Sequence, residues 1–323
     1  MTPTQGLSRQ AGTEAFDDLP VVDGLDLHHA WDVFGRDDQL GSLNRLTSEN
    51  VMEAAHAVRT GVVTNLVVPL GAIDPPLYGR EPLKHEIFAP DRNSLDDRLD
   101  AFYLQGSSQW DGLRHVRARE FGFWGGRTDA AAFAPGSGPL GVEHWVEKGF
   151  VGRGVLLDVE RYLSRAGEDY DPGVERSISG TLLEEIAESQ GTPLRTGDIL
   201  CIRFGWMGAY LEAQADGHDT TPLTTRFAGL SADEEMSRWL WNGGVAAIAA
   251  DNPSIEVSPG DPAVGSFHRR NLPLLGLALG ELFTFDRLAE QCQEDQRWDF
   301  LFVSVPLLVV GGVGSPANAI AIR

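Results

Sequence analysis

Residues 105–115 read QGSSQWDGLRH, and the layout of this stretch governs the reading of the whole chain. Gln109 and Asp111 stand two apart, which puts their side chains on one face of an extended strand and Trp110 on the other. The same alternation carried forward brings His115 to the side of Asp111. Three polar heads converging in this way cost desolvation energy unless they pair, hold an ion or meet a substrate. Asp and His are ordinary metal ligands and acid/base groups, and a Gln carbonyl oxygen suits a hard cation. A satisfied hydrogen-bond cluster on a strand-turn fits the same pattern.

A second polar interruption lies in SFHRRNLPLLGLALGEL (266–282), where His268, Asn271 and Glu281 punctuate an apolar run. No other charge follows Arg270 in that stretch, so Glu281 is a carboxylate buried with a partner, set beside a cation, or facing water from an edge strand. GGVGSPAN (311–318) lacks the Lys and the following helix that a phosphate loop requires, and reads as a tight turn returning the last strand. WGGR (124–127) and NGG (242–244) also read as turns, and His28, His29, His56, His144 and His218 show no partner spacing.

Around these segments strands and helices interleave. Ser48 is the expected N-cap of a helix with Val51, Ala54, Ala55 and Val58 on its apolar stripe, ended by Gly61. VVTNLVVPL (62–70), RGVLLDV (153–159), GDILCIRFGW (197–206) and VAAIAADNP (245–253) read as strands. LPLLGLALGELF (272–283) and FLFVSVPLLVVGGVGSPANAIAIR (300–323) complete the strand set. SISGTLLEEIAESQG (177–191) is a short amphipathic helix stopped by Gly191. SADEEMSRWLWNGG (231–244) is another, with Ser231 and Glu234 as a capping box. Residues 71–100, rich in Pro, Gly and charge, read as a long loop. The economical assignment is one α/β domain over 26–323, with a mixed β-sheet core flanked by helices, preceded by a flexible arm over 1–25.

Bulk properties narrow the function. The chain has 323 residues, 47 acidic against 26 basic, for a net charge of -21. That balance argues against nucleic acid or an anionic membrane as partner. Cys201 and Cys292 are the only cysteines, too few for a disulfide framework, and Cys201 reads as a buried core thiol. The N-terminus shows no export or transit signal, and the longest apolar run, FLFVSVPLLVVGGVG, is broken by Pro306 and glycines. A cytoplasmic protein is the expectation.

Taken together, the segments resemble the cyclase family that includes bacterial kynurenine formamidases and isatin hydrolases. Its signature, H-x-G-T-H-x-D-x-P-x-H, falls on Gln105, Ser107, Ser108, Gln109, Asp111, Leu113 and His115. DDQLGSLNRLT (37–47), RGVLLDVERYL, TGDILCIRFGW, AADNPSIE and PLLVVGGVGSPANAIAI resemble other blocks, and HRRNLPLLGLALGEL resembles the second metal segment. The resemblance implies a swivelling β/β/α-like fold, a homodimer or homotetramer, and hydrolysis of a cyclic amide, aryl formamide or lactone. It also implies one divalent cation, Mn²⁺ or Zn²⁺, held by Gln109, Asp111 and His268, with His115 and Glu281 catalytic. Trp110, Trp206 and Phe88, with Tyr78, are the expected aromatic lining for a flat substrate. Two signature histidines are replaced by Gln105 and Gln109, which weakens a zinc site and leaves loss of the cation open. A metal-free cyclase or dehydratase of natural-product biosynthesis, and a non-catalytic ligand-binding relative, are the alternatives.

Overall fold

The run GVLLD (154–158) is buried at every position, as a strand covered on both faces of a parallel sheet must be. A computed structural model describes residues 14–129 and 133–323 of the chain. Its strands are, in chain order, β1 (Val63–Asn65), β2 (Lys84–Asp91), β3 (Ser94–Asp100), β4 (Gln109–Asp111), β5 (Phe150–Asp158), β6 (Ser177–Ile178) and β7 (Ile199–Arg203). β8 (Gly229–Leu230), β9 (Ala247–Ala250), β10 (Ala278–Glu281), β11 (Asp299–Ser304), β12 (Gly314–Pro316) and β13 (Ala319–Ile322) follow. Nine of them form one sheet in the order β1-β13-β11-β5-β7-β9-β10-β4-β12. β5, β7, β9 and β10 run parallel, and antiparallel pairs extend the sheet on both sides.

The helices are α1 (Ser48–Ala55), α2 (Glu143–Lys148), α3 (Val159–Arg165), α4 (Gly180–Ser189) and α5 (Trp206–Ala215). Then come α6 (Thr221–Thr225), α7 (Glu234–Asn242), α8 (Phe267–Leu275) and α9 (Asp286–Asp295). The connections between parallel strands carry α3 with α4, then α5 to α7, then α8, as crossovers require. The fold is therefore a mixed α/β sheet flanked by helices. No helix among the described residues is long and apolar enough to cross a membrane.

Several sequence expectations need correction. Of the strand expected over 272–283, Ala278–Glu281 is β10, but 272–275 belong to α8: Ser266 caps that helix by accepting from the Arg269 amide, and Gly276 ends it at φ 66°. A helix buried this deeply shows no periodic polar face, so its leucines read equally well as a strand. Gly276 is required there, because a Cβ would come within 2.9 Å of both Gly41 Cα and Trp124. The 71–100 segment is not a loop throughout, since β2 and β3 pair as a hairpin whose positions are all exposed. Its dense charge hid the alternation. Helix caps lie elsewhere too: Thr47 caps α1 in a capping box with Asn50, and Asp233 caps α7 with Ser231 donating to it.

The expected arm over 1–25 is packed where it is described. Phe16, Leu19 and Val22 are buried, and the Trp241 indole donates to the Glu14 carbonyl at 2.8 Å. Residues 1–13 lie outside the described residues. Cys201 is fully buried, and burial pushes its thiol well up.

Candidate active site

Register places the first two functional side chains. Gln109 on β4 stands directly opposite Glu281 on β10, and the Gln109 amide donates to Glu281 Oε2 at 2.6 Å. Asp111 follows on the same face of β4. After β4 the chain turns at Gly112, where the His115 amide donates to the Gly112 carbonyl at 2.8 Å, and the imidazole folds back toward the strand. α8 supplies His268 from its first turn, one residue after a backbone amide that Glu256 Oε2 anchors at 2.6 Å. Gln105, ahead of β4, completes the group: its Nε2 donates to Asp111 Oδ1 and lies 3.1 Å from His115 Nδ1. Gln109, Asp111, His115, His268 and Glu281, all named from sequence, thus meet.

His268 is the electrostatic centre. Its Nδ1 is 2.8 Å from Glu256 Oε1, and its Nε2 is 3.0 Å from Glu281 Oε1 and 3.5 Å from Asp111 Oδ2. Burial alone would depress this imidazole, but three carboxylates raise its pKa well above the ordinary value. Burial likewise works against ionisation of Asp111 and Glu256, yet contacts with His268 hold both below the usual carboxylate range. Glu281 differs. Burial first, and then the charge of Asp111, push it up to about 7. Burial lowers the pKa of His115, with Asp111 opposing from 3.7 Å.

Whether a cation suits this group can be judged from its unpaired atoms. Asp111 Oδ2 and Gln109 Oε1 are buried acceptors with no hydrogen-bond donor among the described residues. Buried oxygens left bare are costly, and a cation satisfies them as a donor would. Asp111, His268 and Glu281 also bring potential ligand atoms within 4.8 Å of one another. Three carboxylates around one imidazolium leave a negative surplus. The donor set therefore fits one divalent ion, and its share of oxygen favours a hard or borderline metal. Asn271 Oδ1 on α8 is a further bare buried acceptor.

The aromatic expectations fare differently. Trp110 is fully buried on the opposite face of β4, stacked on Phe150 at 4.0 Å with its indole donating to Ser304 at 2.9 Å. It is core and cannot touch a substrate. Trp206 is equally buried, stacked on Tyr210 at 4.9 Å and bonded to the Leu223 carbonyl. Phe88 sits half-exposed on the β2–β3 hairpin and joins no part of the site. Tyr78 alone of that group lies near: with Ser231, Ser254 and Glu256 it lines a hollow of about 620 Å³. Its backbone is left-handed (φ 60°), and its hydroxyl donates to the Pro253 carbonyl at 3.1 Å. Sequence reasoning missed Glu256 altogether, because nothing in a polar turn after a strand signals a contact with a residue twelve positions on.

The family model described as "Putative cyclase" matches residues 44–257. A crystal structure of a novel cyclase is similar over 91% of this chain and 99% of its own, at 30% identity and a TM-score of 0.79. Isatin hydrolase A from Ralstonia solanacearum covers 85% of this chain and 97% of its own at 16% identity, with a TM-score of 0.57. The isatin hydrolase A from Labrenzia aggregata, bound to benzyl benzoate, gives 0.55 at 16% identity over 85% of this chain and 98% of its own. At that identity the two hydrolases show a shared fold. No curated protein sequence matches the chain. The length of the family match, together with the whole-chain likeness to the cyclase structure, makes this chain a member of the cyclase family.

Proposed function

We propose that the chain is a hydrolase acting on a carbon–nitrogen or carbon–oxygen bond of a cyclic amide, aryl formamide or lactone. The observation that carries this reading is the pair of bare buried oxygens, Asp111 Oδ2 and Gln109 Oε1, beside a neutral imidazole. Asp111, His268 and Gln109 would hold a divalent cation, Mn²⁺ or Zn²⁺, with Glu281 alongside. When bound, such an ion supplies Lewis-acid activation of a carbonyl and of water. Glu256 fixes His268 by accepting from Nδ1, which leaves Nε2 as the nitrogen facing Asp111 and Glu281. His115 is the partly exposed acid/base group, its side chain 31% accessible. Gln105 must donate to Asp111, so it also presents an N–H to His115 Nδ1, and the neutral ring keeps its own proton on Nε2. Nδ1 is thereby the basic nitrogen: His115 can take a proton there once Gln105 yields, and the imidazolium so formed can give one up from Nε2.

The test is hydrolysis of a panel of aryl formamides, cyclic amides and lactones before and after chelation, with Mn²⁺ or Zn²⁺ restored. Turnover lost with EDTA and regained with metal is expected. A second reading has one observation in its favour: His268, with carboxylates at both ring nitrogens, can itself carry the positive charge. Turnover unaffected by complete chelation would favour that metal-free acid/base enzyme. Assembly into a homodimer or homotetramer is part of the proposal, supported by the unpaired hairpin carrying exposed Ile87, Phe88 and Leu95.

A further inference from the structure

In a chain of net charge -21, arginines without acidic partners are worth locating. Three of them, Arg119, Arg269 and Arg270, line one hollow of about 720 Å³ between residues 24–27 and the segment 262–266. No acidic side chain lines it, although Asp261 stands at its edge with Oδ1 accepting from the lining Ala263 amide at 2.8 Å. None of the three arginines makes an ion pair among the described residues, although eleven other arginines of the chain do. Arg270 secures one wall by donating from Nη2 to the Val264 carbonyl at 2.9 Å, and its buried Nε has no acceptor. Gly265, at φ 108°, leaves that guanidinium uncovered by any side chain of its own. Arg119 is held in the left-handed region at φ 50°, a conformation that a long side chain adopts at a cost and that the fold retains. Across the same 261–266 segment the other hollow is lined by Glu175, Glu256 and Asp261, so the two hollows are opposite in charge.

We infer that the arginine hollow is a binding site for a small organic anion carrying two or more carboxylate or phosphate charges. Guanidinium groups recognise both oxyanions through paired N–H donors, and the volume admits a small organic molecule rather than a bare ion. The inference does not rest on the catalytic proposal, since among the described residues the three arginines make no hydrogen bond or ion pair with the cluster around His268. The hollow meets that cluster only through Ser266, whose hydroxyl donates to Glu256 Oε1 at 3.3 Å.

Calorimetric titration of the full chain at low ionic strength, with inorganic pyrophosphate and with citrate as separate probes, tests it. One site per chain is expected, with the tighter probe identifying the phosphate or the carboxylate source. Arg269→Ala, an exposed position whose helix cap lies at Ser266, should weaken that probe about tenfold or more, and Arg269→Glu should abolish binding. Arg92→Ala, the same charge change at the tip of the hairpin, should leave affinity unchanged. Failure of both probes to bind at one per chain, or equal weakening by Arg92→Ala and Arg269→Ala, would overturn the assignment.

Discussion

Gln105 stands where the family signature has a histidine, and in this chain it works between two other groups, donating to Asp111 and to His115. Removing it in Gln105→Leu should leave the fold intact while freeing His115 to rotate and change tautomer. The expected result is a fall in kcat/KM of about 10- to 100-fold with little change in metal content, the size usual for loss of an orienting partner. His115→Ala should lower kcat by about 100-fold or more without unfolding, because the ring is partly exposed and caps nothing. The pH profile carries a sign as well. Burial depresses His115 below the ordinary 6.5, so the neutral ring persists into mildly acid solution. Activity that needs it neutral is present above that lowered value and is lost as pH falls through it. An acid limb of kcat/KM centred above 6.5 would contradict the assignment.

At the scale of elements, alternation along β4 was legible in the sequence. Gln109 and Asp111 face the site and Trp110 faces the core, as spacing by two demands. The strands of the parallel centre could be read from short continuous apolar runs bounded by turn residues, such as ILCI (199–202) after Gly197, which suit a doubly covered strand. What could not be read was decided by tertiary contact. Trp206 belongs to the core through its stacking on Tyr210, a contact the sequence does not display. The core position of Trp110, by contrast, follows from the same alternation that sends Gln109 and Asp111 to the site, and conflicts with reading it as pocket lining. Glu256 became visible only when α8 docked its first turn on the loop after β9.

One prediction belongs to that same junction. Asp251, just past β9, accepts from the Phe204 and Gly205 amides at 2.8 Å each and so ties β9 to the start of α5. Burial, then the charge of Asp286, push it up to about 8. Its folded value lies above the ordinary 3.8, so the folded chain holds the extra proton between the two values. Stability from this group is therefore greatest in acid and falls as pH rises toward 8, by at most about 1.4 kcal/mol per pH unit. Urea midpoints at several pH values between 5 and 8 should decline more steeply for wild type than for Asp251→Asn. Equal slopes would refute this.

The whole molecule presents two surfaces that the sheet does not absorb. One is the β2–β3 hairpin, where Ile87 and Leu95 are 63% and 76% exposed. A two-stranded hairpin is marginal by itself, and a second copy packed on it would bury these side chains. Light scattering should show a dimer or tetramer that Ile87→Asp with Leu95→Asp shifts toward monomer. A monomeric wild type would remove this part of the account. The other surface is the arginine hollow. The hairpin lies outside the blocks that resembled known sequences, while Arg269 and Arg270 lie within one of them; neither surface was legible in the sequence, because each depends on which residues a fold leaves uncovered.

The central claim is that the bare oxygens beside His268 belong to a cation site. Elemental analysis of untagged protein, purified without chelator and dialysed against metal-free buffer, tests this most directly when wild type and Asp111→Ala are run side by side. The account predicts about one divalent transition-metal ion per wild-type chain and a large loss in the variant. Wild-type protein without metal that also takes up neither Mn²⁺ nor Zn²⁺ on titration, or equal metal in both proteins, would contradict it.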